Sequence, residues 1–238
     1  MPNWCSNNLL VEGPAAELAL FMSKIEDKAG LFDAYFPMPT SLREAVSGSD
    51  EQCYQVLYGD IPAHILELEV VSEAGLDKSN ANYRSNLFDV LKETLWRDQS
   101  NLSRETALRY KTNLDRYGSL NWYDWSIKNW GTKWDVSLKR GEVSIDYDKG
   151  RSVADLAFDT AWGPPTEWVD SVSKDWPDLT FSIKYFEPGM WFAGYYKVKA
   201  GMELSRLEGD PDQKDLNGNP LFGFCEDEVE EIKSWDNE

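Results

Sequence analysis

The chain has 238 residues, and 42 acidic against 24 basic side chains give it a formal charge of −18. That balance argues against a protein that grips nucleic acid through phosphates, because such proteins bring their own cations. With 42% hydrophobic and 13% aromatic residues the chain is not globally disordered, and its length allows one large domain or two small ones that fold without disulfides.

Cys5, Leu9 and Val11 alternate along one face of a first strand that ends at Gly13. Pro14 suits the first helical position. Leu18, Phe21, Met22 and Ile25 follow at i, i+3, i+4 and i+7, so a helix is predicted over 14–28 with Gly30 as its C-terminal cap. The stretch 31–117 reads as mostly helical. Leu87, Phe88, Leu91 and Leu95 mark one apolar face. Ala107, Tyr110, Leu114 and Tyr117 mark another, begun by Ser103 as N-cap and stopped by Gly118. Residues 41–82 are ambiguous, and 65–71 fit strand or helix.

From Lys133 the period becomes two. Trp134, Val136 and Leu138, then Val143, Ile145 and Tyr147, alternate on either side of Arg140-Gly141, which predicts a hairpin with Trp134 in the core. A strand over 153–162 would carry Leu156, Phe158 and Trp162 on one face, and a helix over 165–175 carries Trp168, Val169 and Val172. Leu179, Phe181, Ile183 and Tyr185 alternate next, Glu187-Pro188-Gly189-Met190 has the composition of a type II turn, and a last strand is predicted over 191–199. The order is β-α-β-β-α-β with extra elements. It predicts an α+β class: a ferredoxin-like antiparallel sheet with two helices on one face and a mostly helical insertion at about 31–117. The ferredoxin-like domain would occupy 1–200 and an acidic C-terminal segment 201–238, which alone carries a net −9.

Four strings, MPNWCSN at the start, WYDWSIKNWGTKWD at 122–135, FDTAWGPPTEW at 158–168 and KYFEPGMWFAGYY at 184–196, resemble the YubB-type ferredoxin-like family of phage and plasmid proteins. The resemblance spans residues 1–30 and about 115–200. It implies a ferredoxin-like fold and a mobile-element origin, and it implies no catalytic residues.

Cys5, Cys53 and Cys225 form no pair at metal or redox spacing, which argues against a disulfide framework and a cysteine-rich zinc site. The start lacks a signal-peptide pattern and no run of 18 apolar residues occurs, so a cytoplasmic protein of the bacterial host cell, away from membranes, is expected. His64 is the one histidine, which excludes a two-histidine metal site within the chain. No G-x-S-x-G, Walker A or G-x-G-x-x-G string is present, so neither enzyme activity nor a cofactor is expected. Asp215, Asn217, Asn219 and Glu226 have the spacing of calcium-loop ligands, but Pro220 stands where the loop needs glycine. A polar Asn217-Gly218 turn is the competing reading.

Trp122, Trp125, Trp130 and Trp134 crowd one stretch with Lys128 and Lys133, open either to core packing or to a binding surface. Asp210, Asp212, Asp215, Glu226, Asp227, Glu228, Glu230 and Glu231 are the candidate partner-binding residues, able to imitate spaced phosphates or to act as a solubilising tail. The function expected is a non-enzymatic interaction protein that inhibits a host defence protein through the latter's basic nucleic-acid-binding surface, without itself binding duplex DNA. The alternatives are a nucleic-acid-binding ferredoxin-like module, in which Trp191, Tyr195 and Tyr196 stack bases, and a carboxylate-based enzyme.

Overall fold

The computed structural model describes residues 3–45 and 50–222. Its elements in chain order are β1 (Trp4–Glu12), α1 (Ala15–Ser23), α2 (Leu31–Tyr35), α3 (Thr40–Arg43), α4 (Glu51–Leu57), α5 (Ala63–Leu66) and α6 (Glu69–Glu73). They continue with α7 (Tyr83–Glu93), α8 (Arg104–Tyr117), α9 (Trp122–Trp130), β2 (Val143–Asp146), β3 (Val153–Ala161), α10 (Thr166–Asp175), β4 (Thr180–Glu187), β5 (Phe192–Lys199) and β6 (Met202–Gly209). The chain divides into two compact units, Met1–Pro37 with Ser126–Glu238, and Met38–Trp125. No helix among the described residues is long and apolar enough to cross a membrane.

In the first unit the strands form a six-stranded antiparallel sheet in the order β2-β3-β1-β4-β5-β6. The four strands β2-β3-β1-β4, with α1 and α10 as the connecting helices, are the split β-α-β arrangement of a ferredoxin-like fold. Strand periodicity sorts side chains by face. Cys5, Leu9 and Val11 of β1, Leu156 and Phe158 of β3, and Phe181, Ile183 and Tyr185 of β4 are all buried on one side. The helices close that side. Phe21 of α1 meets Phe181 edge-on at 5.5 Å, while Phe32 packs against Phe158 at 5.8 Å and Trp168 at 4.9 Å. Two buried polar groups are satisfied locally: the Trp168 indole donates to Phe32 O at 3.2 Å and Asn7 Nδ2 to Thr160 Oγ1 at 2.8 Å.

Several expectations are corrected. The hairpin predicted from Lys133 keeps only its second strand, as β2, because residues 136–138 run beside 29–31 instead, with Leu31 N donating to Val136 O at 2.9 Å and Leu138 N to Ala29 O at 3.0 Å. The Asp135 carboxylate accepts from Phe32 N at 2.7 Å and Asp33 N at 3.1 Å, capping α2. Gly30 is therefore extended rather than a left-handed cap; a Cβ there would fall 1.9 Å from Asp135 Oδ2. The left-handed residue after the shorter α1 is Asp27, at φ 59°. Trp134, expected in the core, is 40% exposed, and Trp162 is 43% exposed at φ 70°, off the Leu156–Phe158 face. In the turn after β4 it is Trp191, at φ 58°, that takes the left-handed conformation; Glu187 accepts from Gly189 N and Met190 N at 2.8 and 2.6 Å. Finally, the segment expected to be tail from 201 begins as β6, joined to β5 through Ala200 and Gly201 at φ 50° and 71°, the left-handed pair of a tight hairpin.

The second unit is helical. Its core is Cys53, Val56, Ile65, Val71, Leu87, Phe88, Leu91, Trp96, Leu102 and Ala107. Ser103 caps α8 through Thr106 N at 3.0 Å and Gly118 ends it in the left-handed region, as the sequence predicts. The ambiguous stretch resolves into short helices, with 65–71 in α5 and α6. Leu95 is exposed and Trp96 takes the buried place; Leu114 is likewise exposed, and Asn113 is buried with its amide bonded to Ser41 O and Leu120 O.

Candidate functional site

The helix-covered face of the sheet is filled by packing, so the open face is where chemistry can be displayed. Register assigns its rows. Asp159, Ser6, Phe186 and Ala193 share one row; Ser144, Ala157, Asn8, Lys184, Tyr195 and Leu207 the next; Asp146, Asp155, Leu10, Ser182 and Lys197 the third. The β2–β3 flank is therefore acidic and the β4–β5 flank carries lysines. Asp159 accepts from Ser6 Oγ at 2.9 Å and Asp155 from Asn8 Nδ2 at 2.6 Å, so neighbours on β1 orient both carboxylates. Asp146 lies directly opposite Asp155, a like-charge pairing that stability alone disfavours. Arg151 offsets it in part, 3.4 Å from Asp146. Just before β2, Glu142 accepts from Ser137 N at 2.8 Å and pairs with Arg140 at 2.9 Å.

Two structures border this face. At the end where β1 begins, Trp4 is 49% exposed and lies 6.3 Å from Trp134, with their planes at 38°. Lys133 sits over the Trp134 ring at 4.5 Å and over Trp162 at 5.0 Å. A cavity of about 430 Å³ is lined by Trp4 and Trp134, with Asp135, Arg140, Glu142 and Asp159 in its wall. At the β5–β6 corner the chain after β6 folds back, and Phe222 packs with Phe186 and Ala193, flanked by Trp191 and Leu221.

The C-terminal candidates divide accordingly. Asp210 and Asp212 are exposed just beyond β6, and Asp215 stands in a turn where its carboxylate accepts from Asn217 N at 2.8 Å, Asn219 N at 2.9 Å and Asn219 Nδ2 at 3.1 Å. These bonds hold the Asp215 carboxyl below the usual range. They also close the Asn217-Gly218 turn, with Gly218 at φ 84°, and Asn219 turns its amide N–H, a donor, toward Asp215. Glu226, Asp227, Glu228, Glu230 and Glu231 lie outside the described residues, so the fourth calcium-candidate residue does too. Among the described residues no group of three or more His, Cys, Asp or Glu could hold a metal ion.

The aromatics proposed to stack bases do not form one platform. Tyr195 faces the open side, whereas Tyr196 faces the helices with Arg206 4.3 Å over its ring, and Trp191 packs edge-on against Phe186 at 5.7 Å. The central open-face positions, where a nucleic-acid-binding sheet would place aromatics, hold Ser6, Asn8, Asp155, Ala157 and Asp159. His64 is exposed. Cys5 and Cys53 are buried free thiols; burial, with Glu187 and Asp159 nearby, pushes Cys5 up, and burial pushes Cys53 up to about 11, so neither is an activated nucleophile. In the helical unit Asn121 bridges two carboxylates, bonding Glu51 and, at 3.0 Å, Asp124. Burial pushes both carboxyls up.

Sequence reasoning missed the carboxylate flank and, in the tryptophan rim, Trp4, although it left Trp134 and Lys133 open to a binding role. A signal for each was present as phase: Trp4 alternates out of step with Cys5, Leu9 and Val11, and Asp155 and Asp159 out of step with Leu156 and Phe158.

Residues 133–231 match the family model described as the ferredoxin-like domain in Api92-like protein. No curated protein sequence matches the chain. The crystal structure of protein api92 from Yersinia pseudotuberculosis aligns with 88% of this chain and 98% of its own, at 13% identity and a TM-score of 0.44. The family match agrees with the ferredoxin-like sheet order.

Proposed function

We propose that this is a non-enzymatic interaction protein that binds a basic surface on a partner protein. The observation that carries the reading is the oriented carboxylate flank of the open sheet face, Asp146, Asp155 and Asp159, retained despite the cost of placing Asp146 opposite Asp155. The C-terminal acids add a second acidic stretch, at the opposite edge of the sheet: Asp210 and Asp212 stand exposed just past β6, and a net −9 falls on residues 201–238. A surface of this sign accelerates encounter with a cationic groove and repels nucleic acid. Nucleic-acid-binding channels are one class of strongly basic groove. The family resemblance of residues 1–30 and 115–200 supports a host defence protein as its owner, and supports the bacterial cytoplasm as the setting.

The test is paired capture from a bacterial host lysate with wild type, with Asp155→Lys/Asp159→Lys, and with Asp227→Lys/Glu230→Lys/Glu231→Lys. A basic protein retained by wild type, released by salt and lost with either reversed variant is the expected result. Equal retention by all three baits, or retention insensitive to salt, would defeat the reading.

A further inference from the structure

We infer that the cleft lined by Trp4 and Trp134 receives an arginine side chain from a basic peptide segment of the partner; this rests on the interaction reading above. The cleft has the size of a small-ligand site, about 430 Å³. It is lined by two half-exposed indoles whose ring centroids lie 6.3 Å apart, and three of its lining residues, Asp135, Glu142 and Asp159, are carboxylates. Large aromatics displayed to solvent beside acids suit a cation, which the ring face attracts and the carboxylate neutralises. The same surface already holds one cation in this way, since Lys133 lies over both Trp134 and Trp162.

Guanidinium fits better than ammonium. It is planar, stacks on an indole and presents a fork to a carboxylate, and it sheds water more readily. Among the described residues Asp159 is held by Ser6 through Oδ1, which leaves its second oxygen for such a donor. Arg140, also in the wall, has its charge opposed by Glu142 at 2.9 Å. Trp134 is presented rather than buried because Asp135 ties its neighbours to α2 through Phe32 N and Asp33 N. The receptor is thereby set before the ligand arrives, which keeps the ordering cost of binding low. Tryptophan and arginine are also among the residues most enriched at interface hot spots.

The experiment titrates the full chain with a nine-residue arginine peptide, its citrulline counterpart and a short single-stranded oligonucleotide. It follows the indole Nε1–H resonances by NMR and the affinity by calorimetry. Arginine peptide should shift the Trp4 and Trp134 indoles, and citrulline peptide and oligonucleotide should not. Trp4→Ala or Trp134→Ala should raise Kd about tenfold with unchanged circular dichroism. Asp159→Asn, which keeps the side-chain shape, should weaken binding several-fold. Indoles that stay still while arginine peptide binds with equal affinity to both tryptophan variants would overturn the pocket and leave the acidic-surface reading standing. Oligonucleotide binding that moves the same indoles would overturn the pocket's assignment to arginine. Absence of any arginine-peptide binding to wild type would overturn both readings.

Discussion

On the helix side of the sheet, Leu9, Leu156, Phe158, Phe181 and Ile183 are buried against Phe21, Phe32 and Trp168. One residue along on the same strands, Asn8, Asp155, Ala157, Asp159 and Lys184 face out, sorted by charge from β3 to β4. The first face is chosen by area removed from water, which is large and indifferent to register detail beyond the alternation. Outside the Phe186, Ala193 and Phe222 cluster the second buries little apolar area, so charged side chains placed there record another demand. The difference locates function on the open face and its rim.

Phe158→Ala should break the packed face and cost about 3–5 kcal/mol in denaturant unfolding, the usual range for a core aromatic. A loss under about 1 kcal/mol would mean the helix side is not the core. Asp135→Ala should cost about 1–2 kcal/mol by uncapping α2. Trp134→Ala should cost less than about 1 kcal/mol because the ring is already 40% exposed. A cost as large as that of Phe158→Ala would return Trp134 to the core. Reversing Asp155 and Asp159 to lysine should move stability by no more than about 0.5 kcal/mol per site.

Acid titration sharpens the contrast in the helical unit. Burial raises Glu51 and Asp124 above ordinary carboxyls. A raised folded pKa contributes stability that is fully present below the unfolded value of about 4 and lost as pH rises through the folded value. Wild type minus Glu51→Gln should therefore gain stability as pH falls from 7 toward about 4. A difference that shrinks on acidification would contradict the burial of Glu51.

Much of the sheet was legible because alternation and turn residues agree: Leu179 to Tyr185 reads as β4, and Ser103 and Gly118 bracket α8. Two parts were not. The alternation over 133–138 is real in composition, but Asp135 bonds Phe32 N and Asp33 N and pulls the segment to α2, a contact between residues over a hundred positions apart. β6 was hidden because its side chains are exposed throughout, leaving no apolar face to read. The open-face site was illegible for a related reason: its residues are meaningful only as neighbours across β2, β3 and β1, which pairing creates and composition does not show.

The central claim is most directly tested by mapping amide shifts across the chain while a nine-residue arginine peptide is added at low and high salt. Salt-sensitive shifts are expected along Ser144, Asp146, Asp155, Ala157 and Asp159, continuing to Ser6 and Asn8 on β1. Shifts confined to α1 and α10, or to residues 38–125, with that flank silent, would contradict it.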